Sequence, residues 1–229
     1  IAEGSGEDPF LGSVLARARV SGFQGEDLDA ANTLLACAKH FVAYGGAEGG
    51  RDYNTVDISE RTLREIYLPP FKASVEAGVE TFMGAFNEVG GVPMHAHRRL
   101  LHDVLRGEWG FRGLVVSDFT AIQEMLAHGI APNRATIGAK ALHAGVDIDM
   151  QSEIFHDDVI HLARIGKLAM ADIDAAVRRV LRAKAKLGLF EDPYRYSDVT
   201  REQRSMLQPD HLSFARELAG KSIVLLKNE

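Results

Sequence analysis

The feature that most constrains the fold is an alternation of short apolar runs with amphipathic segments. The apolar runs lie at 34–42, 80–86, 114–117 and 146–150, and each is followed by residues with helical apolar spacing. Strands that alternate with helices predict a parallel β-sheet covered by helices. Both a doubly wound sheet and a (β/α)8 barrel have this pattern, although four strands are too few for a complete barrel.

Composition excludes several classes of protein. The 229 residues include 26 basic and 32 acidic side chains, a formal charge of −6, which argues against a nucleic-acid partner. No apolar run approaches the roughly 20 residues that span a bilayer, so we expect no membrane partner. Cys37 is the only cysteine, which excludes an internal disulfide and a cysteine-rich metal site.

The two ends of the chain suggest a longer protein. The sequence opens with Ile-Ala-Glu-Gly rather than Met, and residues 222–229 have the pattern of a β-strand. A terminal strand would leave its backbone groups unpaired unless more chain followed it. We therefore expect this chain to be a piece of a longer protein.

Candidate functional residues follow the predicted strands, because ligands bind beyond the carboxyl ends of parallel strands. The residues at these positions are Lys39 and His40, Phe86 and Asn87, Asp118 and Phe119, and Met150 and Gln151. Asp118 directly follows an apolar run, where an uncompensated carboxylate is costly to bury. It is a candidate nucleophile, general base or metal ligand, or else it caps the helix that begins near Thr120.

Lys39 and His40 are adjacent cations at a strand end. They predict a clamp for hydroxyl groups or an anionic centre, a Schiff-base lysine, or simply a surface lysine beside a core histidine. The glycines at 45–50 lack the spacing of a phosphate loop, which favours a flexible rim loop. Beside them, Arg51 and Asp52 are either site residues or a surface ion pair.

Other polar groups have more than one interpretation. His95 and His97 lie near His102 and Asp103, but no third metal ligand has a recognisable spacing. Asp147 and Asp149 share a strand face, as either a carboxylate pair or a side-chain network. The segment from Thr120 to Gln123 has the pattern of a capping box.

Six segments, taken in order, resemble glycoside hydrolase family 3, and within it the bacterial periplasmic β-glucosidase type. They are IAEGSGEDPFLG at 1–12, KHFVAYGGAEGGRDYNTVDIS at 39–59, FMGAFNEVGGVP at 82–93, LLHDVLRGEWGFRGLVVSDF at 100–119, HAGVDIDM at 143–150 and KSIVLLKNE at 221–229. The resemblance implies a retaining exo-acting β-glycosidase that hydrolyses terminal non-reducing β-D-glucosyl residues, with Asp118 as its nucleophile.

The resemblance also implies roles for neighbouring residues. Lys39 and His40 would bind sugar hydroxyls, and Met83 and Phe86 would line the same pocket. Phe86 stands where the family usually has tyrosine, so a hydroxyl is missing. Phe119 stands where tryptophan is frequent and would form an apolar wall. No cofactor and no metal is implied. The loop after Phe41 lacks the His-Asp dyad of the N-acetylglucosamine-removing branch.

The implied architecture is an incomplete (β/α)8 TIM-type barrel. Residues 1–190 would be the C-terminal portion of that barrel, 191–220 a linker, and 221–229 the first strand of an α/β sandwich domain. The acid/base glutamate usually comes from that second domain of the same chain, so we expect it beyond residue 229. The substrate would be a β-glucoside or a short oligosaccharide, and the location periplasmic or secreted.

Alternatives remain open at this point. A β-xylosidase differs from a β-glucosidase only in a few contacts around the exocyclic CH₂OH. A chain without its acid/base would be a truncated carbohydrate-binding or inactive fragment. A Schiff-base lyase would use Lys39 and would not need Asp118.

Overall fold

The strands of the fold are short and follow the predicted apolar runs. The computed structural model describes residues 4–229, so the first three residues of the segment 1–12 lie outside it. In the described part of the chain the strands are β1 (Cys37–Phe41), β2 (Thr55–Val56), β3 (Thr81–Gly84), β4 (Glu88–Val89), β5 (Val92–Pro93) and β6 (Leu114–Val116).

Helices connect these strands and continue to the end of the chain. The α-helices are Pro9–Gln24, Glu60–Thr62, Pro69–Glu76, Ala121–Glu124, Arg134–Ala144, Ile160–Arg164, Met170–Lys186, Val199–Ser205 and Pro209–Ser222. Wider π-helical turns are Leu63–Tyr67, Arg99–Glu108 and Phe155–Val159, and 3₁₀ turns are Tyr44–Gly46, Glu48–Gly50 and Met94–Ala96. No helix formed by residues 4–229 has both the length and the apolar character required to cross a bilayer.

The main sheet is parallel and has the strand order β1–β3–β6. Thr81 of β3 lies opposite Cys37 of β1 and Leu114 of β6. The fourth predicted strand contributes a parallel bridge between Val116 and Ile148. Neighbouring strands therefore follow chain order across the sheet, and the predicted α/β class is confirmed. In the described residues a second small sheet joins β2, β4 and β5, with β4 parallel to β2 and antiparallel to β5.

The core lies between the main sheet and the helices that follow its strands. Phe41 is fully buried, and its ring meets Phe71, Phe82 and Trp109 edge-on, at centroid separations of 5.2, 5.5 and 6.1 Å. Edge-to-face aromatic pairs of this kind each add about 0.5–1.5 kcal/mol beyond the area they bury. The aromatic cluster therefore holds β1 against β3 immediately before the carboxyl ends of both strands.

Two helix ends are fixed by the residues that lie at them. Ser59 accepts a hydrogen bond from the Thr62 amide through Oγ, at 3.1 Å, and caps the helical region that leads to Pro69–Glu76. Gly145 follows the helix Arg134–Ala144 with φ 111°, a conformation that glycine adopts without steric cost.

The predicted capping box at Thr120–Gln123 is wrong. An N-cap residue normally has extended backbone, whereas Thr120 has φ 57°. Its hydroxyl donates instead to the carbonyl oxygen of Phe119 at 2.7 Å and to Oε1 of Glu124 at 3.0 Å. Gln123 in turn accepts a hydrogen bond from Arg134.

No strand forms at 222–229 in the described chain. The helix Pro209–Ser222 runs through its start, and residues 223–229 have no regular secondary structure. Ile223 to Leu226 are 73–93% exposed. A strand forms only where a neighbouring strand pairs its backbone groups, and these exposed residues form none. The stretch interpreted as a linker contains the helix Val199–Ser205.

Candidate active site

The end of β6 is held rigidly where it enters the site. Ser117 is fully buried, and its amide donates to the Ile148 carbonyl at 2.9 Å. Its Oγ accepts from the Met150 amide at 2.8 Å and donates to the Asp118 carbonyl at 3.0 Å. These bonds tie two neighbouring strand ends together and fix the backbone that carries Asp118.

The Asp118 carboxylate faces the end of β1. Its Oδ2 lies 3.4 Å from Nε2 of His40, and the two side chains are only 15% and 11% exposed. Its Oδ1 accepts the Phe119 amide at 2.7 Å. The side chain therefore bonds to the next residue rather than to the first turn of Ala121–Glu124, and the helix-capping interpretation is wrong. The structure confirms that the strand-end rule brings Asp118 and His40 together.

Lys39 lies beside the free thiol of Cys37. Burial raises the pKa of Cys37, a Thr81 hydrogen bond and the Lys39 charge lower it, and the Asp118 charge raises it. Lys39 and Asp118 are therefore both close enough to Cys37 to act on it electrostatically. Lys39 and Cys37 also line a cavity of about 490 Å³ between β1 and the helix Pro9–Gln24.

An aromatic cluster forms the wall of the site on the side of β3. Phe86 packs against Tyr53 at a centroid distance of 4.5 Å and against Tyr44 at 6.2 Å. Tyr44 also meets His40 edge-on at 5.6 Å. Its hydroxyl donates to Asp52, and burial together with that bond raises the pKa of Tyr44. Tyr44 therefore keeps its phenolic proton as a hydrogen-bond donor.

The two remaining predicted site residues lie on either side of Asp118. Met83 is half-buried in β3 and pairs in register with Val116, two positions before Asp118. Phe119 is 57% exposed and follows Asp118 directly. The six residues to which the resemblance assigns a role thus lie on or just beyond β1, β3 and β6.

Sequence reasoning missed the roles of Tyr44, Asp52 and His95. His95 is buried, and its Nε2 accepts the Asp118 amide at 3.2 Å. Burial lowers the pKa of His95 to about 4. The sequence shows this histidine only as part of a loop, because its contact with Asp118 depends on how β3 and β6 pack.

The other candidate groups have structural partners. Asp147 is bound by Arg106 and Arg179, and Asp149 accepts the Ser152 hydroxyl and the Phe155 amide, so the side-chain network is the correct interpretation. Among residues 4–229, no group of three or more histidine, cysteine, aspartate or glutamate side chains is placed to hold a metal ion.

A carboxylate at the end of a parallel strand, an imidazole beside it and an aromatic wall thus come together at one edge of the main sheet. The profile of the glycosyl hydrolase family 3 N terminal domain matches residues 2–183. The chain therefore belongs to glycoside hydrolase family 3, and the resemblance stated from the six segments is confirmed.

Curated relatives and solved structures agree with this assignment. The periplasmic beta-glucosidase of Salmonella typhimurium is 42% identical over 99% of this chain and 30% of that protein. A beta-xylosidase of Formosa agariphila is 40% identical over all of this chain and 33% of that protein. The crystal structure of a beta-glucosidase from Listeria innocua in complex with glucose has a TM-score of 0.92 and 41% identity, over 99% of this chain and 31% of that one. The chain spans about a third of the length of these proteins.

Proposed function

We propose that the natural protein carrying this chain is a retaining β-glucosidase that removes terminal non-reducing β-D-glucosyl residues, with Asp118 as its nucleophile. The observation that carries the proposal is the Asp118 carboxylate at the end of β6, 3.4 Å from His40, in a chain of this family. The β-glucosidases among its relatives, including one crystallised with glucose, favour a glucoside as the substrate.

The chemistry proceeds in two displacements at the anomeric carbon. Oδ2 of Asp118 attacks, because Oδ1 is held by the Phe119 amide. A bond forms from Oδ2 to the anomeric carbon, and the bond to the leaving oxygen breaks with its electron pair. The leaving oxygen takes a proton from a carboxylic acid, which we assign to a glutamate outside this chain. Water then attacks the same carbon, gives up a proton to that glutamate and releases Asp118.

The neighbouring side chains bind and orient the sugar. Lys39 and His40 donate hydrogen bonds to its hydroxyls, and such bonds accelerate the reaction where they strengthen in the oxocarbenium-like transition state. Met83 and Phe86 line the pocket, and the exposed ring of Phe119 forms an apolar wall. We further propose that Tyr44, beside Phe86, orients the Asp52 carboxylate at the edge of this pocket by donating its phenolic proton to it.

The proposed architecture is part of a (β/α)8 TIM-type barrel, with residues 1–190 as its C-terminal portion. The order β1–β3–β6, continued by the bridge to Ile148, supports this proposal, because a doubly wound sheet reverses its strand order and a barrel does not. We propose that 191–220 is a linker and that 221–229 begins an α/β sandwich domain, which supplies the acid/base. The periplasmic relative supports a periplasmic or secreted location.

A β-xylosidase is the second candidate, because a beta-xylosidase is 40% identical over the whole chain. The two substrates differ only by the exocyclic CH₂OH group. The ratio of kcat/KM for the aryl β-glucoside and the aryl β-xyloside separates the two activities, and we expect the glucoside to be preferred.

The experiment uses an activated 2-deoxy-2-fluoro-β-glucoside with the natural protein that carries this chain, followed by peptide mapping. A fluoroglucosyl ester on Asp118 is expected, because the fluorine slows hydrolysis of the covalent intermediate. The variant Asp118→Gly should lose nearly all turnover and should regain activity with azide, which fills the vacated space and forms an α-glucosyl azide.

Asp149→Asn is the matched control, because Asp149 also follows a strand of the sheet but is bound to Ser152 and Phe155. It should remain active and should still be labelled on Asp118. Labelling of another carboxylate, or full activity of Asp118→Gly, would exclude the proposed nucleophile. Sugar binding by calorimetry without turnover would favour the carbohydrate-binding fragment. Borohydride trapping of a carbonyl substrate on Lys39 would favour the lyase.

A further inference from the structure

His95 makes the side-chain contact that holds the Asp118 backbone from outside its own strand. It lies in the 3₁₀ turn Met94–Ala96 that follows β5, and it is 1% exposed. Its Nε2 is 3.2 Å from the Asp118 amide nitrogen, which donates the hydrogen bond. His95 therefore does more than fill space, because its ring nitrogen accepts a hydrogen bond from the backbone of Asp118.

The imidazole also packs closely against the end of β3. A Cβ added to Gly84 would lie 2.7 Å from Nε2 and 3.1 Å from both ring carbons next to it. Gly84 is the last residue of β3, where it pairs with Phe41 of β1. The ring of His95 therefore occupies the space left by this glycine and joins the end of β3 to the end of β6.

The hydrogen bond requires one protonation state of the ring. Nε2 accepts a hydrogen bond only when it carries no proton, so His95 is neutral with its proton on Nδ1. Burial lowers the pKa of His95 to about 4, which keeps this form dominant near neutral pH. The carboxylate has its own contacts with Phe119 and His40, so the His95 bond acts on the Asp118 backbone, at its amide, while the Ser117 hydroxyl holds its carbonyl.

We propose that His95 is a positioning residue that fixes Asp118 for attack on the anomeric carbon by accepting its backbone hydrogen bond at Nε2. The inference rests on the proposed function of Asp118 as nucleophile. A small misplacement of a reacting atom costs on the order of 100-fold in rate, whereas substrate binding by other residues is unaffected. Loss of the acceptor should therefore lower kcat far more than it raises KM.

Two substitutions separate positioning from packing. His95→Gln keeps an acceptor oxygen close to the position of Nε2, whereas His95→Met fills a similar volume without a hydrogen-bonding group of comparable strength. If His95 only fills space, His95→Met should be the more active variant, because an amide is more costly to bury than a thioether. If His95 positions Asp118, His95→Gln should be the more active variant. We expect His95→Met to lose about 100-fold in kcat with little change in KM, and His95→Gln to lose less than about tenfold.

The measurements are steady-state kinetics, the rate of labelling by the fluoroglucoside, and hydrogen exchange at the Asp118 amide at single-residue resolution. His97→Gln is the matched control, because it is the same change two positions away on the same loop. It should leave all three unchanged. Thermal unfolding shows whether each variant is folded. Gly84→Ala, which pushes on the Nε2 edge of the ring, should reproduce the loss seen with His95→Met.

The outcomes distinguish this inference from the proposed function. If the fluoroglucoside labels Asp118 in the unsubstituted protein, the inference stands when His95→Gln exceeds His95→Met in activity and in the rate of labelling. It is overturned when the two are equal or reversed. If the unsubstituted protein does not label Asp118, the proposed function fails. Hydrogen exchange then tests only the hydrogen bond from the Asp118 amide to His95. Equal protection of that amide in His95→Gln and His95→Met overturns this bond.

Discussion

Replacing Asp147 with asparagine should destabilise the fold strongly. Its side chain is fully buried, and its two oxygens accept three hydrogen bonds, from Arg106 at 2.8 Å, from Arg179 at 2.7 Å and from the Val115 amide at 2.8 Å. These partners come from Arg99–Glu108, Met170–Lys186 and β6. Asp147 therefore joins two helices to the sheet.

The magnitude follows from what remains after the substitution. Asparagine has the same shape, but it removes the negative charge and turns an NH₂ group toward a guanidinium. Breaking a buried ion pair by removing one partner costs about 3–5 kcal/mol. Arg106 is 11% and Arg179 is 21% exposed, so Arg179 regains some hydration, and we expect about 3 kcal/mol. For a domain of this size, that corresponds to a fall in Tm of about 6–12 °C.

The assay is urea-induced unfolding of Asp147→Asn, with Glu76→Gln as the control. Glu76 pairs with Arg17 at 2.9 Å, but both side chains are about half exposed. Loss of that exposed pair should change the free energy of unfolding by less than about 1 kcal/mol. If Asp147→Asn costs no more than Glu76→Gln, the assignment of Asp147 as a buried structural charge is refuted.

Three further predictions concern His95, two glycines and Cys37. Burial lowers the pKa of His95 from its usual 6.5 to about 4, so the unfolded chain binds a proton that the folded chain does not, and acidification across that interval should cost up to about 3 kcal/mol. Urea titrations at several pH values give the free energy of unfolding, which should fall less steeply with decreasing pH for His95→Gln than for the unsubstituted protein. An equal pH dependence of the two proteins contradicts the prediction. Gly113→Ala should lower the free energy of unfolding by about 3 kcal/mol, because its Cβ would lie 2.1 Å from the Glu80 carbonyl oxygen. Gly22→Ala, in open space, should stabilise the helix Pro9–Gln24 by about 0.5–1 kcal/mol. Chemical denaturation of the two alanine variants tests both signs. Burial raises the pKa of Cys37 above its usual 9.0. The rate of alkylation of Cys37 should therefore rise at a higher pH in the folded protein than in urea, and coincident pH profiles would argue against a raised pKa.

Local pattern was sufficient to locate the strands of the main sheet. The apolar runs at 34–42, 80–86 and 114–117 contain β1, β3 and β6, because parallel strands that are covered by helices are rich in apolar side chains. The strand-end rule then placed Asp118 beside His40 without any knowledge of the structure. Chain order alone predicts that juxtaposition.

Long-range and strained features were beyond the sequence pattern. Thr120 and Gln123 match a capping box, but the positive φ of Thr120, four residues after the end of β6, prevents the cap. Residues 222–229 have strand composition, yet strand formation depends on a neighbour rather than on composition. The contact of His95 with Asp118 depends on the space at Gly84, which no local pattern reports.

The strand order of the main sheet also bears on how the chain refolds. His40 and Asp118 are in contact although about a third of the chain separates them, and every pairing in the sheet spans a complete helical crossover. Such a topology has a high contact order, since each crossover must close before its strands can stabilise one another. The nucleophile and its imidazole neighbour therefore meet only when the whole sheet has formed, and early collapsed chains expose unpaired strand edges to aggregation before any site exists.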